Sequence, residues 1–303
     1  MDRDNGTARE AIAEAWSSVA RRDFSTAVQQ WRRIIERFPD NPSGYAGAGA
    51  ALRDSGGLDE AEELLAQAFL RFPSSSEVAT NYGWTAHARR DWEEAVRRWE
   101  LVRVRYPDSP SGYAGGGASL RELGRFDEAE AVLRAGLERL PSSADIAVTH
   151  AAIAGFRRNW PEAAKRWEDV RARFPTSTSA YLGATAALRA LGRNEEAESI
   201  LAEGVELCPG QAEVAVEYAR MAHQREDWAE AMGRWELVRE RFPGNTAAQK
   251  GAEEARQRMQ RIAREPGDER YGRGLAHDTA KSASQRRGLH GMPVSRPDAN
   301  AQV

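Results

Sequence analysis

Prolines stand at positions 39, 73, 107, 141, 175, 209 and 243, each 34 residues after the one before. A period of that length marks an array of helical hairpins, in which each repeat buries its apolar face only against its neighbours. Twelve residues before every one of those prolines is an alanine: Ala27, Ala61, Ala95, Ala129, Ala163, Ala197 and Ala231. One tiny side chain recurring without exception is what helices packed shoulder to shoulder require. Proline placement is an independent check, because a proline in a helix interior costs roughly 3 kcal/mol. None of the 13 falls there: seven close repeats, Pro42 and Pro110 open first helices, and Pro161 sits in the first turn of a second helix. Pro266, Pro293 and Pro297 lie towards the C-terminus.

With the recurrent proline numbered as the thirty-second residue of its repeat, the second repeat shows Tyr45, Ala48, Gly49, Leu52, Ala61, Leu65, Ala68 and Pro73 at the diagnostic places. The fourth shows Tyr113, Gly116, Gly117, Leu120, Ala129, Leu133, Gly136 and Pro141, and the sixth shows Tyr181, Ala184, Thr185, Leu188, Ala197, Leu201, Gly204 and Pro209. This pattern resembles the tetratricopeptide repeat. The resemblance implies an all-α fold, a right-handed superhelical solenoid of antiparallel helix pairs. The expected organisation is a leader over 1–7, seven repeats over 8–245, a capping helix over 246–265 and a disordered tail over 266–303. The tail is rich in glycine, serine and scattered charge, and offers too little apolar surface to offset the entropy of ordering it.

A longer period of 68 residues overlies the shorter one. Odd repeats carry Trp31, Trp99, Trp167 and Trp235, with Phe24, Trp92, Trp160 and Trp228 seven residues earlier. Spacing of seven puts both series on one side of the second helix, so they read as packing residues in the helix interface. The building block is therefore a pair of repeats.

Composition narrows the function. The formal net charge is -3, so no whole-molecule field attracts nucleic acid or an anionic membrane. All but Lys165, Lys250 and Lys281 of the 43 basic residues are arginine, the side chain suited to bidentate carboxylate contacts. Neither a signal-peptide core nor a bilayer-length apolar run is seen, which reads as a soluble, cytoplasmic protein. The single cysteine, Cys208, fills an apolar slot before Pro209. No glycine-rich phosphate loop, ligand-spaced histidine pair or recognisable nucleophile setting is present, so neither catalysis nor a metal or other cofactor is expected.

The family resemblance implies that places 2, 5, 9, 12 and 13 of each repeat face the concave side. Even repeats put small residues there: Ser43, Ala46, Gly47 and Ala50, then Ser111, Ala114, Gly115 and Ala118, then Ser179, Leu182, Gly183 and Ala186. Glycine in a helix interior costs about 1 kcal/mol relative to alanine. Gly47, Gly115 and Gly183 therefore indicate a close approach to those backbones, by the neighbouring helix or by a bound peptide lying on the floor. Each row ends in an arginine, Arg53, Arg121 or Arg189, and acids of neighbouring repeats are alternative partners for them. Odd repeats offer Trp16 and Trp84 at place 9, and His87 and His223 at place 12.

A family subclass that grips C-terminal carboxylates with lysine and asparagine is not matched, because Ile12, Trp16, Ala46, Ala50 and Thr80 occupy the corresponding places. The expectation is a protein–protein interaction scaffold that binds a partner peptide or helix, acidic in part, in the concave groove. Arg53, Trp84, His87, Arg121 and Arg189, with Trp16 and His223, are the expected contact residues. Two other readings are a docking arm for a separate glycosyltransferase or sulfotransferase, whose own paired arrays look similar, and single-stranded RNA binding, which the balanced charge disfavours.

Overall fold

The computed structural model describes residues 2–264, and the side chains of 7–264. The expected tail over 266–303 lies outside the described residues. All regular structure among them is α-helical. First helices of the repeats are α1 (Asp2–Ala20), α3 (Pro42–Asp54), α5 (Ser76–Ala88), α7 (Pro110–Glu122), α9 (Ala144–Phe156), α11 (Thr178–Ala190) and α13 (Ala212–Gln224). Second helices are α2 (Phe24–Arg37), α4 (Leu58–Arg71), α6 (Trp92–Arg105), α8 (Phe126–Arg139), α10 (Trp160–Arg173), α12 (Asn194–Leu207) and α14 (Trp228–Arg241), followed by α15 (Thr246–Arg264). α1 begins at Asp2, so residues 2–7 prolong the first helix where a separate leader was expected. Each helix ends where its local chemistry requires. Second helices stop two residues before the recurrent proline, whose predecessor is kept out of the helical region, as at Phe38, Tyr106 and Phe174. Asp23, Asp91 and Asn159 cap the starts of α2, α6 and α10 with their side-chain oxygens.

The turn inside each repeat alternates with the 68-residue period. Even repeats place Gly56, Gly124 and Gly192 in the left-handed region at φ of 89°, 71° and 75°. Odd repeats put Arg22, Arg90 and Arg158 there, at φ of 61°, 60° and 58°, a conformation that glycine adopts with less strain.

Two compact bodies divide the described residues, one running up to Tyr218 and the other starting at Ala219. In the first, each helix packs on the next, and first helices also pack on one another, closely for α3 on α5 and α7 on α9. No two consecutive second helices approach in this way among the described residues. The first helices thus form the inner, concave side and the second helices the outer side. In the second body α15 packs on α14, burying Ala248, Gly251, Ala252 and Ala255.

The alternation has a steric cause. Trp31, Trp99 and Trp167 of α2, α6 and α10 are buried and press flat against the backbone of the next first helix. A methyl group added at Gly47 would sit 2.5 Å from the Trp31 ring, at Gly115 2.4 Å from Trp99, and at Gly183 2.2 Å from Trp167. The second body repeats the arrangement, with Gly251 2.3 Å from Trp235. The object approaching those glycines is an indole of the preceding helix, so the interior accounts for them and no floor-lying peptide is needed. Trp99 also meets Gly83, placing this wedge between α5 and α7, which touch only lightly.

A second device recurs at the same interval. The Arg98 guanidinium is buried; NH1 and NH2 donate to Glu62 at 2.9 and 2.6 Å, and Nε donates to Glu94 at 2.8 Å. NH1 also donates to the Tyr82 carbonyl at 2.9 Å, and the group lies 3.4 Å from the Tyr82 ring centroid. Sixty-eight residues on, Arg166 bonds Glu130, Glu162 and the His150 carbonyl at 2.7, 2.7 and 3.1 Å. One guanidinium thereby ties three helices, α4, α5 and α6 in the first case and α8, α9 and α10 in the second.

Candidate functional site: the concave groove

The groove begins where α1, α3 and α5 run side by side. Small residues, Ala46 and Gly47, keep its floor low, and its walls are Ile12, Trp16, Ser43, Ser76, Glu77, Thr80 and Asn81, around a cavity of about 380 Å³ open to solvent. Trp16 stays 46% exposed although its inner edge packs on Trp31, with centroids 5.3 Å apart in a T-shaped contact. Half of a large aromatic ring left in water beside hydrogen-bonding groups is the usual make-up of a protein contact point. Ser43 donates to the Glu77 carboxylate at 2.8 Å and so fixes it at the rim.

The arginines have different surroundings. Arg53 NH1 donates to Asn81 Oδ1 at 3.1 Å and its Nε to Asp54 at 3.1 Å, which joins it to the Trp16 cavity through Asn81. Arg121 forms an ion pair with Glu122 at 2.6 Å and covers the Phe156 ring at 4.4 Å. Arg189 pairs with Glu217 at 2.9 Å. Each guanidinium therefore already has a carboxylate, and their separations of one and 28 residues show that both the adjacent acid and the next repeat supply it.

Trp84 and His87 come together, but facing inward. Trp84 packs edge-on against Trp99 at 4.9 Å and against His87 at 5.3 Å. His87 meets Trp92 at 4.8 Å, and its Nδ1 lies 3.0 Å from Ser119 Oγ. Arg121, two residues after Ser119, completes this cluster. His223 belongs to the second body, where Trp235 Nε1 donates to its Nδ1 at 3.4 Å and Trp228 packs on its ring at 5.0 Å.

The sequence singled out neither Glu77 nor Asn81 nor Phe156, the last 56% exposed, and it offered Thr80 only as a mismatch to the carboxylate-gripping subclass. Reading places 2 and 6 as columns points to Glu77 and Asn81, since the third, fifth and seventh repeats carry an acid at place 2 and a polar residue at place 6. Phe156 gives no periodic signal, because place 13 carries an aromatic nowhere else.

Burial holds the His87 imidazole below its ordinary 6.5; Glu122 opposes this and Arg121 adds to it. Burial likewise lowers His150, reinforced by Arg166 and opposed by Glu130, whose carboxylate is 3.0 Å from Nε2. The folded chain thus favours neutral imidazoles, and the unfolded chain takes up those protons first. Stability should be full above pH 6.5 and decline as the pH falls through that value towards the lower folded one. Urea midpoints measured from pH 7.5 to 5.5 (a range of about one unit either side of the ordinary histidine value) should fall, and His87→Gln with His150→Gln should flatten the decline. An unchanged slope in the double variant contradicts this assignment.

Among the described residues, no group of three or more His, Cys, Asp or Glu is placed to hold a metal ion, and no helix is long and apolar enough to cross a membrane.

Two models of the tetratricopeptide repeat match the sequence, one over residues 12–68 and 47–110 and the other over 179–221. No curated protein matches it. Among solved structures the chain is similar to a tetratricopeptide repeat protein from Parabacteroides merdae ATCC 43184, at 16% identity and a TM-score of 0.55, covering 83% of this chain and 99% of that one. It is similar to yeast Tom70 at 17% identity and a TM-score of 0.66, over 77% of this chain and 50% of Tom70. A human IFIT1 dimer with m7Gppp-AAAA is similar at 14% identity and a TM-score of 0.59, over 85% of this chain and 64% of that one. At such identities the likeness is one of fold.

Proposed function

We propose, from the premise that this chain is a tetratricopeptide repeat protein, that it is a non-catalytic interaction scaffold whose concave groove receives a segment of a partner protein. The observation that carries this reading is the half-exposed Trp16 ring on the rim of the open cavity between α1, α3 and α5. An aromatic anchor of this kind, flanked by Ser43, Thr80 and Asn81, offers a ring to a side chain and hydrogen bonds to a backbone. Repeats that contact only their neighbours also make an extended surface, suited to extended ligands.

Trp84 and His87 contribute less directly than Trp16, as the support beneath the groove at α5 and α7. The docking-arm reading gains no observation of its own. The similar IFIT1 structure is a dimer with m7Gppp-AAAA, but Arg53, Arg121 and Arg189 are committed to acids here, which removes them as contacts to a phosphate backbone.

Trp16→Ala is the direct test, since emptying an anchor of this kind reduces partner affinity by about 2 kcal/mol, or roughly 30-fold. Partners captured from native extract by the wild type should be lost by the variant while its helical circular dichroism is unchanged. Recovery of the same partners in the same amounts would remove the groove from the account.

A further inference from the structure

Charge along the groove is divided by place in the repeat. At place 12 the even repeats carry Arg53, Arg121 and Arg189, each in an ion pair. At place 2 the first odd repeat carries Arg9 and the other three carry Glu77, Asp145 and Glu213, all exposed and all within the first body. None of these three acids forms an ion pair among the described residues. The Glu77 carboxylate accepts the Ser43 hydroxyl and no cation among the described residues, and Glu77 lines the same cavity as Trp16. Glu77 is the one charged side chain among the residues lining that cavity, so the uncommitted charge beside Trp16 is negative.

Helix electrostatics alone does not produce this arrangement. An acid in the first turn complements any helix dipole, yet α3, α7 and α11 have none there and carry Ser43, Ser111 and Ser179 at the same place. The acids occur only in alternate first helices, α5, α9 and α13. They are spaced by the two-repeat building block.

We infer that the groove selects a partner segment bearing lysine or arginine side chains, one of them lying between the Trp16 ring and the Glu77 carboxylate. This rests on the scaffold reading above and adds the chemistry of the occupant. A cation over an indole face and beside a fixed carboxylate satisfies both groups at once. Successive first helices pack at about 10 Å, so two repeats advance about 20 Å. An extended chain rises about 3.3 Å per residue, which places the next basic residue, opposite Asp145, about six positions along. This replaces the acidic partner expected from the arginines, whose charge the chain neutralises itself.

The test is to pan a phage-displayed library of random dodecapeptides against the full chain, against Trp16→Ala and against Glu77→Gln/Asp145→Asn. Peptides enriched on the wild type should carry an excess of lysine and arginine, and should bind the Glu77→Gln/Asp145→Asn variant at least tenfold more weakly. Enriched peptides that are neutral or acidic, or basic ones that bind that variant unchanged, overturn the inference. If such peptides still depend on Trp16, the groove reading survives and only its charge is wrong. If enrichment is indifferent to Trp16→Ala, or none occurs on the wild type, the groove reading falls as well.

Discussion

Replacing Trp99 by alanine is expected to lower stability by about 3–5 kcal/mol, the usual consequence of emptying a fully buried aromatic site. The ring has no exposed surface and fills the space between α5 and α7 against Gly83 and Gly115. Its partner glycine gives a sharper prediction, because two effects of opposite sign compete there. Gly115→Ala gains about 1 kcal/mol of helix propensity, while overpacking a dense interior costs about 1–3 kcal/mol or more. A methyl group 2.4 Å from a rigid ring lies at the severe end, so the steric term wins and the variant is less stable. Once the ring is removed by Trp99→Leu, the methyl group has room and Gly115→Ala should become neutral or stabilising. That reversal of sign in a double-mutant cycle tests the wedge. Urea unfolding should be followed together with amide exchange in α5–α7, since a linear array can lose structure locally.

Arg98→Met should have the next largest effect. Breaking a buried ion pair from one side costs about 3–5 kcal/mol when the stranded charge is sealed from water. Here the stranded carboxylates of Glu62 and Glu94 are 26% and 29% exposed, so water takes up part of the burden. A loss of about 2 kcal/mol is expected after that discount. Arg98→Lys should recover little of it, because an ammonium cannot reproduce the paired bonds to Glu62. The pH dependence follows from Glu94. Burial pushes its carboxyl group up, but hydrogen bonds from Arg98 and Arg97 outweigh burial and hold it below its ordinary 4.5. A lowered carboxyl contributes stability that is present above 4.5 and is lost as the pH falls through the folded value. Wild type and Arg98→Met should therefore converge in acid. A constant gap between them down to pH 3, roughly one unit below an ordinary carboxylate, would contradict this role for Arg98.

The repeated hairpins were legible because steric requirements print themselves at fixed spacing. Pro39 to Pro243 and Ala27 to Ala231 report positions where only one side chain fits the local geometry. The pairing of repeats was visible in Trp31, Trp99 and Trp167 for the same reason. What those indoles press against was not, since the contact joins Trp31 to Gly47 across a turn and the sequence shows only two separate periodicities. The arginines show the limit more clearly. Arg53 meets Asn81 and Arg189 meets Glu217, each 28 residues on, whereas Arg121 turns back to Glu122 and covers Phe156. Flexible side chains at one repeat position choose partners by small differences in their surroundings, and such choices leave no regular trace. Hence three residues that suggested an acidic ligand are internally neutralised, while Glu77, which reads as an ordinary helix-start acid, faces the cavity uncommitted.

Site-specific photo-cross-linking tests the central claim most directly. A benzophenone side chain is placed at Thr80, on the wall of the groove, and separately at Glu63, exposed on the outer helix α4. With a peptide partner bound, adducts should form from position 80 and not from position 63. Adducts from position 63 alone, or equally from both, would show that partners bind elsewhere on the array and that the concave groove is not the docking surface.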